Sequence, residues 1–473
     1  MLVLALETST SSAKALVYDS ETGPVFGASE RFGPGLSAAG QQDPLGVHLA
    51  MLRVAQRAAQ GRDIQAIALS STWHSVGICD AAMQPISPVY TWEFSRAASL
   101  SAEMRRDEAL TQTLYRTTGC MPNVTYPRQT LLYLKKEGLH LAGRQIISQG
   151  GYSFWRMTGE RAETVNVQSG GGFIHLASRR YDPFVLGLLG ISEQQLGPLA
   201  TYRDTAPLNT ETAGMIGVRP GIPVVPAHSD GACNQIGSGC GPARRMTLSV
   251  GTSGAMRLAA EAPVFSANRE TWCYYGVDSY LGGAAVAGAC NCVDWFSREL
   301  MQGHLNPDQL EGGRSAPLDD LPVFLPFIYG ERCPGWRDDR RAGFVEISGT
   351  HDLQDLYFSL QMGVLFGLLQ CYEPLTFMLG EPERIVVSGG ILNSVRWCRM
   401  LADIFAHPMR IDRNKDASLI GAAALALHAA GACPDIWHFQ PVAEEAQVIQ
   451  PELLLVPWYK EQFRRYLDWY ARS

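Results

Sequence analysis

Apolar residues give way to small polar ones in the same manner at two distant places in this chain. Leu4-Ala5-Leu6 leads into Glu7-Thr8-Ser9-Thr10-Ser11-Ser12, and Ala13-Lys14-Ala15-Leu16 follows. Leu248-Ser249-Val250 leads into Gly251-Thr252-Ser253-Gly254, and Ala255-Met256-Arg257-Leu258 follows. Each pattern predicts a strand, a tight turn and a second strand. Such a turn aims backbone N–H groups and hydroxyls in one direction, which makes a phosphate cradle. Two unrelated hairpins with Ser/Gly turns are the plainer alternative. Two cradles in duplicated halves predict a nucleotide held in a cleft between domains.

The rest of the pattern alternates strand, loop and helix in both halves. Residues 64–70 predict an apolar strand running into Ser71-Thr72-Trp73-His74, with 76–79 pairing beside it and a turn at 80–85. Helical periodicity covers 97–118 and 127–137, while 150–200 is glycine-rich without a strong period, as a substrate-shaping insertion would be. Residues 222–226 predict a strand that ends in His228-Ser229-Asp230-Gly231-Ala232, and the small residues after it open a helix. A long amphipathic helix is predicted over 353–373, which Pro374 should end or kink. Then come a strand at 384–388, a Gly389-Gly390 loop, and helices at 395–405 and 419–430. This alternation predicts two α/β domains around a cleft, with the boundary near 241–246 and the halves at 1–242 and 243–473.

Composition narrows the picture. At 473 residues the chain is too long for one core, and 46% hydrophobic with 18% charged residues is ordinary globular usage. The net charge is −7 without a basic run, which argues against nucleic acid as a partner. The N-terminus lacks a basic leader, and the Ala-rich run at 421–430 is too short to span a bilayer. Eleven cysteines include no Cys-x-x-Cys pair, so zinc spacing is absent. Cys79, Cys233 and Cys398 sit among apolar residues and read as buried thiols in a reducing compartment. A cytoplasmic protein with neither a nucleic-acid nor a membrane partner is expected. Oligomeric state stays open, a homodimer included.

Candidate chemistry converges on phosphoryl transfer. Asp230 follows a predicted strand, where α/β sheets place their ligands, and Gly231 and Ala232 leave room for a substrate. Such a carboxylate can accept the proton of a sugar hydroxyl that attacks a γ-phosphate; the alternative is a helix N-cap. Gly389 and Gly390 directly after a strand permit close approach of a phosphate or a flat group, or simply turn the chain into a helix.

The order of these motifs resembles the FGGY family of carbohydrate kinases, within the actin-like ATPase superfamily. The likeness runs from Leu4 to about Leu427. It rests on the first cradle, Trp73-His74-Ser75, Trp92-x-x-x-Arg96, Asp230-Gly231-Ala232, Gly251-Thr252-Ser253-Gly254 and Ser388-Gly389-Gly390 with Ser394. Three stretches are similar to the bacterial gluconokinases: Ser71–Ser75, Pro88–Trp92 and Leu325–Trp336, as is Asp230–Cys233. The resemblance implies two actin-like (ribonuclease H-like) domains and a kinase using ATP and Mg²⁺. Asp230 would be the general base. Gly251, Thr252, Ser253 and Gly254, with Thr10 and Ser11 of the first cradle, would contact the ATP phosphates. Gly389, Gly390 and Asn393 would line the adenosine pocket. Trp73 and His74 would contact the sugar acid, and Arg96 would hold the substrate-side loop or a carboxylate.

The chain departs from the family pattern at three places. Glu7 stands where the family has an Asp that organises Mg²⁺, and Ser9 stands where it has Gly. Phe94 and Thr164 lie where relatives tend to carry Asp. These less acidic positions are expected to suit an anionic sugar better than a neutral one. The expected reaction is phosphorylation of D-gluconate to 6-phosphogluconate. A kinase for xylulose or ribulose is the first alternative, and a catalytically weak sugar- or nucleotide-binding protein the second.

Overall fold

The computed structural model describes every residue except 242–243, 303–306, 312–314, 412–415 and 443–446. The expected 242/243 boundary therefore falls outside the described residues. Two sheets form the frame. The first contains β1 (Leu2–Thr8), β2 (Ser12–Asp19), β3 (Gly23–Arg31), β4 (Ile64–Ser71), β5 (Ala206–Pro207) and β6 (Pro223–Ser229), in the order β5-β6-β4-β1-β2-β3. The second contains β7 (Arg245–Val250), β8 (Gly254–Ala260), β9 (Trp272–Tyr275), β10 (Tyr280–Val286), β11 (Arg384–Ser388), β12 (Met409–Ile411) and β13 (Val448–Ile449), in the order β9-β10-β8-β7-β11-β12-β13.

Both sheets share one plan. An antiparallel hairpin, β1–β2 or β7–β8, is flanked on one side by a third antiparallel strand and on the other by parallel strands. Before the parallel strands each half inserts a helix, α1 (Pro44–Ala59) in the first and, after Asp230–Gly237 (α2), the long α3 (Leu353–Leu379) in the second. The second half then continues with α4 (Val395–Phe405), α5 (Ala417–Ala429) and α6 (Val456–Arg472). The cradles are thus equivalent β-turns of duplicated sheets.

The halves are joined through α2 and α5. Leu419, Ile420 and Ala423 of α5 belong to the same core as Val3, Ala5, Ala66 and Ala68 of the first sheet. The approach is backbone to backbone. A Cβ on Gly237 would lie 1.8 Å from the Ala417 carbonyl oxygen, and one on Gly421 would lie 1.9 Å from that of Cys233.

Several expectations are corrected. Residues 97–118 form two helices, Ala98–Arg106 and Glu108–Thr118, because Asp107 ends the first and caps the second by accepting from the Leu110 N–H. Gly77–Cys79 pairs with Gln145–Ile147, not with β4, because the chain bends away after Ser71. The 150–200 stretch holds helices at Gln149–Thr158, Val165–Gly170, Pro183–Leu189 and Glu193–Leu196, with short strands between them. Pro374 neither ends nor breaks α3, which continues to Leu379. Burial of Cys371, Tyr372 and Leu375 outweighs the missing donor. By length and composition α3 could cross a bilayer, but it is packed on β8, β10 and the Val323–Leu325 strand as a core helix. All eleven cysteines are free thiols, and Cys79, Cys233 and Cys398 are buried.

Candidate active site

The first cradle is held shut by its own hydroxyls. Ser9 donates from its backbone N–H to the Ser12 carbonyl at 2.9 Å and from Oγ to the same oxygen at 3.0 Å. Its Oγ in turn accepts from the Ser12 N–H at 3.1 Å. Ser9 is not among the residues of positive φ, so serine fits here without strain. Thr10 Oγ1 accepts from Trp92 Nε1 at 3.0 Å, and the Ser9 and Thr10 carbonyls accept from Gln42 Nε2. Ser11 is left exposed at the tip.

Glu7, one residue before the end of β1, is almost fully buried. Its Oε2 accepts from Ser70 Oγ at 3.3 Å and from Ser418 Oγ at the start of α5. Lys14 Nζ lies 3.8 Å from Glu7 Oε1 and 3.1 Å from Asp416 Oδ1, which ties the two halves together beside the first cradle. The charges of Glu7 and Asp416 outweigh burial and raise the Lys14 pKa, so the ammonium stays charged.

In the second cradle the Gly251 N–H donates to the Ser253 carbonyl at 3.0 Å, and Thr252 is exposed at the tip. The Cys290 N–H closes it from behind, donating to the Gly251 carbonyl at 2.8 Å. Gly389, at φ +99, presses against this turn: a Cβ there would lie 2.5 Å from the Val250 carbonyl oxygen. Only glycine meets both demands. Gly390–Asn393 then makes one 3₁₀ turn, with Asn393 exposed, and Ser394 caps α4. The structure therefore brings Gly251–Gly254 and Gly389–Asn393 to one place.

Asp230 is the first residue of α2, not a loop residue, and Ser229 is the N-cap, accepting from the Ala232 N–H at 3.2 Å. The carboxyl of Asp230 is free of the capping role. It accepts from the Gly231 N–H at 2.7 Å. Burial pushes its pKa up to about 6, the charge of Glu7 adds to the rise, and Arg257 opposes it. A carboxyl near 6 is a stronger base than an ordinary aspartate and is still ionised at neutral pH.

Trp73 and His74 sit beside it. Trp73 donates from Nε1 to the Asn166 carbonyl at 2.9 Å and packs on Tyr274 at 4.8 Å between ring centroids. His74 Nδ1 donates to the Gly170 carbonyl at 2.7 Å, which leaves Nε2 to accept from Arg332 Nη2 at 3.3 Å. Burial, with Arg332 next, holds the imidazole well below its usual pKa, so it is neutral. Both ring nitrogens are engaged with protein, so His74 positions Arg332 in this state. Asn166, absent from the sequence expectations, links three parts of the site. Its Oδ1 accepts from the Ser229 N–H at 2.7 Å, its Nδ2 donates to the Tyr275 carbonyl at 2.8 Å, and its carbonyl takes Trp73.

Other expected residues stand apart. Arg96 is exposed, with its guanidinium 6.0 Å over the Phe94 ring, and no hydrogen bond or ion pair among the described residues joins it to Asp230, Trp73 or His74. Phe94 is buried against Tyr90 and Tyr133. Thr164 caps the Val165–Gly170 helix and donates to the Ala227 carbonyl at 2.7 Å. Neither of these two lines an open wall. Arg257, Arg332 and Lys14 were missed as site residues. Arg257 and Lys14 each lie on the strand that leaves a cradle, which is the signal that marks them.

The acidic groups suit Mg²⁺ in one specific way. Glu7 and Asp230 sense each other electrostatically, yet no group of three or more His, Cys, Asp or Glu side chains forms a metal cage among the described residues. Mg²⁺ commonly takes one or two carboxylates, several waters and substrate phosphates, which this set can provide.

Similarity to known proteins agrees with this geometry. Residues 2–237 match the N-terminal domain, and 246–430 the C-terminal domain, of the FGGY family of carbohydrate kinases. The gluconokinase of Bacillus subtilis (strain 168) is 25% identical over 454 residues, covering 91% of this chain and 88% of the relative. The xylulose kinase of Escherichia coli (strain K12) is 25% identical over 421 residues, covering 85% and 84%. The crystal structure of gluconate kinase from Lactobacillus acidophilus superposes with a TM-score of 0.92 at 24% identity, covering 99% of this chain and 97% of that one. With its duplicated, actin-like α/β frame and its matches over both halves, this chain belongs to the FGGY family of carbohydrate kinases.

Proposed function

We propose that this kinase transfers the γ-phosphate of ATP to the terminal hydroxyl of a small sugar acid, with D-gluconate as substrate and 6-phosphogluconate as product. The observation that carries the reading is the Asp230 carboxyl at the start of α2, raised to about 6 by burial and by the charge of Glu7. Asp230 takes the hydroxyl proton as that oxygen bonds to the γ-phosphorus; the bond from phosphorus to the β–γ bridging oxygen breaks, and ADP leaves. The exposed tips at Ser11 and Thr252, with the adjoining backbone N–H groups, would hold the phosphates, and Lys14 would supply positive charge. Gly389, Gly390 and Asn393 would border the adenosine. Glu7 would hold Mg²⁺, directly or through water, and the ion when bound neutralises phosphate charge. Residues 1–242 would carry the sugar side and 243–473 the ATP side, in a cytoplasmic enzyme.

The test is ADP production with Mg-ATP on gluconate, other aldonates, xylulose, ribulose and glycerol. The reading expects turnover on an aldonate. The E. coli xylulose kinase, equal in identity to the gluconokinase though matched over fewer residues, supports a ketose kinase as the second reading; kcat/KM far higher on xylulose or ribulose than on any aldonate would establish it. No turnover together with measurable ATP binding would favour a weakly catalytic binder.

Two further outcomes follow from the site. The kcat/KM profile should fall on the acid side with an apparent pKa near 6, because the base must be ionised to act. A profile flat from pH 5 to 8 would contradict the assignment of Asp230. Replacing Glu7 with Gln should raise the Mg²⁺ concentration for half-maximal rate by roughly tenfold, as loss of a metal-directed carboxylate does. An unchanged Mg²⁺ requirement would remove Glu7 from the metal site.

A further inference from the structure

Two half-buried guanidiniums, Arg257 near Asp230 and Arg332 against His74, each keep a nitrogen without a protein partner. The Nε atoms of Arg257 and Arg332 are both shut off from solvent without a hydrogen-bond partner. Arg257 reaches in from β8: a Cβ on Gly231 would lie 3.0 Å from its Nε and 2.8 Å from Trp73 Cε3. Arg332 Nη2 donates to His74 Nε2 and to the Tyr274 hydroxyl, each at 3.3 Å. Trp73 and His74 stack side by side, with 6.2 Å between ring centroids and 14° between planes. These four side chains make one continuous wall next to the catalytic carboxyl.

The wall has more positive charge than the acids around it can match. His74 is neutral. Glu331, the neighbour of Arg332, is taken up by Arg340 at 3.0 Å, and Glu7 has Lys14 at 3.8 Å. Asp230 faces Arg257, and Arg332 has no carboxylate partner of its own beyond the neutral His74 and Tyr274. Half-buried guanidiniums with an excess of positive charge and an open donor each favour an anionic ligand. The arrangement is also preorganised. Glu331 accepts from the Tyr470 hydroxyl at 2.6 Å and the Gly335 N–H at 3.2 Å, which pins the loop that carries Arg332.

We propose that Arg257 and Arg332 form the subsite that takes the carboxylate of an aldonate substrate, which rests on the sugar-acid reading above. Guanidinium donors match the two oxygens of a carboxylate. A neutral ketose lacks that group and leaves the open guanidinium donors without an anion, which is how a polar site rejects a near-isostere. The γ-phosphate is the other anion that could reach Arg257, and the test separates the two.

The experiment measures equilibrium binding of gluconate without nucleotide, and ADP production on gluconate and on glucitol, the neutral hexitol with CH₂OH in place of the carboxylate. The proteins are the full-length chain, Arg257→Leu, Arg332→Leu and Arg257→Lys. The Leu variants should bind gluconate roughly 10- to 100-fold more weakly, with the loss in KM more than in kcat, as removal of a charge-assisted hydrogen bond predicts. The preference for gluconate over glucitol should shrink by the same factor, and Arg257→Lys, which keeps the charge if the Leu variant does not fold, should recover part of it. Unchanged gluconate binding with an equal fall in kcat on both substrates would overturn the proposal and give Arg257 to the phosphate. Turnover confined to neutral sugars, with no aldonate bound by the unmodified protein, would overturn it together with the sugar-acid reading. Arginine-dependent gluconate binding without ADP production would uphold it while the kinase reading failed.

Discussion

Asp230→Asn is expected to lower kcat by roughly 10²- to 10⁴-fold, the usual contribution of a positioned general base. ATP affinity should change little, because the nucleotide is assigned to the two cradles and the Gly389–Gly390 turn. The variant should be at least as stable as the parent. The native pKa of about 6 lies above the ordinary value of 3.8, so ionising Asp230 disfavours the fold. The stability that this group allows is fully present below about 4 and is lost as pH rises through 6. Neutral Asn does not ionise, so at pH 8 the variant should gain up to about 3 kcal/mol, read as a higher melting temperature. A variant that is both inactive and less stable would point to a structural role.

Gly237→Ala is the second large effect. One added methyl group would lie 1.8 Å from the Ala417 carbonyl oxygen and 2.6 Å from the Gly421 nitrogen, both backbone atoms. Helices α2 and α5 must separate to admit it, and Glu7, which accepts from Ser418, would lose its seat. Overpacking against backbone should cost about 3 kcal/mol or more. Gly214→Ala is the control. Gly214 lies inside the Thr210–Ile216 helix with nothing within 4 Å of an added Cβ, so the same substitution there should stabilise by roughly 0.5–1 kcal/mol. Equal effects of the two substitutions in a denaturant titration would show that the α2–α5 contact does not join the halves.

Much of this architecture was legible in the sequence because it is local. The strand-turn-strand of Leu4–Leu16 and that of Leu248–Leu258 each complete their hydrogen bonds within a few residues. Asp230 stood out for the same reason, as a carboxylate between a strand and small residues. The turn from Ser388 to Asn393 was legible too, although its reason, the contact of Gly389 with Val250, was not. What the sequence hid depends on distant partners. Gly77–Cys79 finds its partner near residue 146, and local pattern does not carry that pairing. Pro374 was expected to stop α3, but the core around Leu375 overrides local preference. Phe94 and Thr164 were read as pocket walls because substitution alone does not say which way a side chain faces. Arg257 and Arg332 are 75 residues apart in the chain, and only the fold sets Arg257 near Trp73 and Asp230 and Arg332 against His74.

The central claim is phosphoryl transfer to a sugar acid through Asp230. The most direct measurement follows the γ-phosphate itself, by incubating the protein with gluconate and γ-labelled ATP and identifying the labelled product. Label is expected in 6-phosphogluconate, formed by the parent chain and reduced at least 100-fold in Asp230→Asn. Label released only as inorganic phosphate, or 6-phosphogluconate formed equally fast by both proteins, would contradict it.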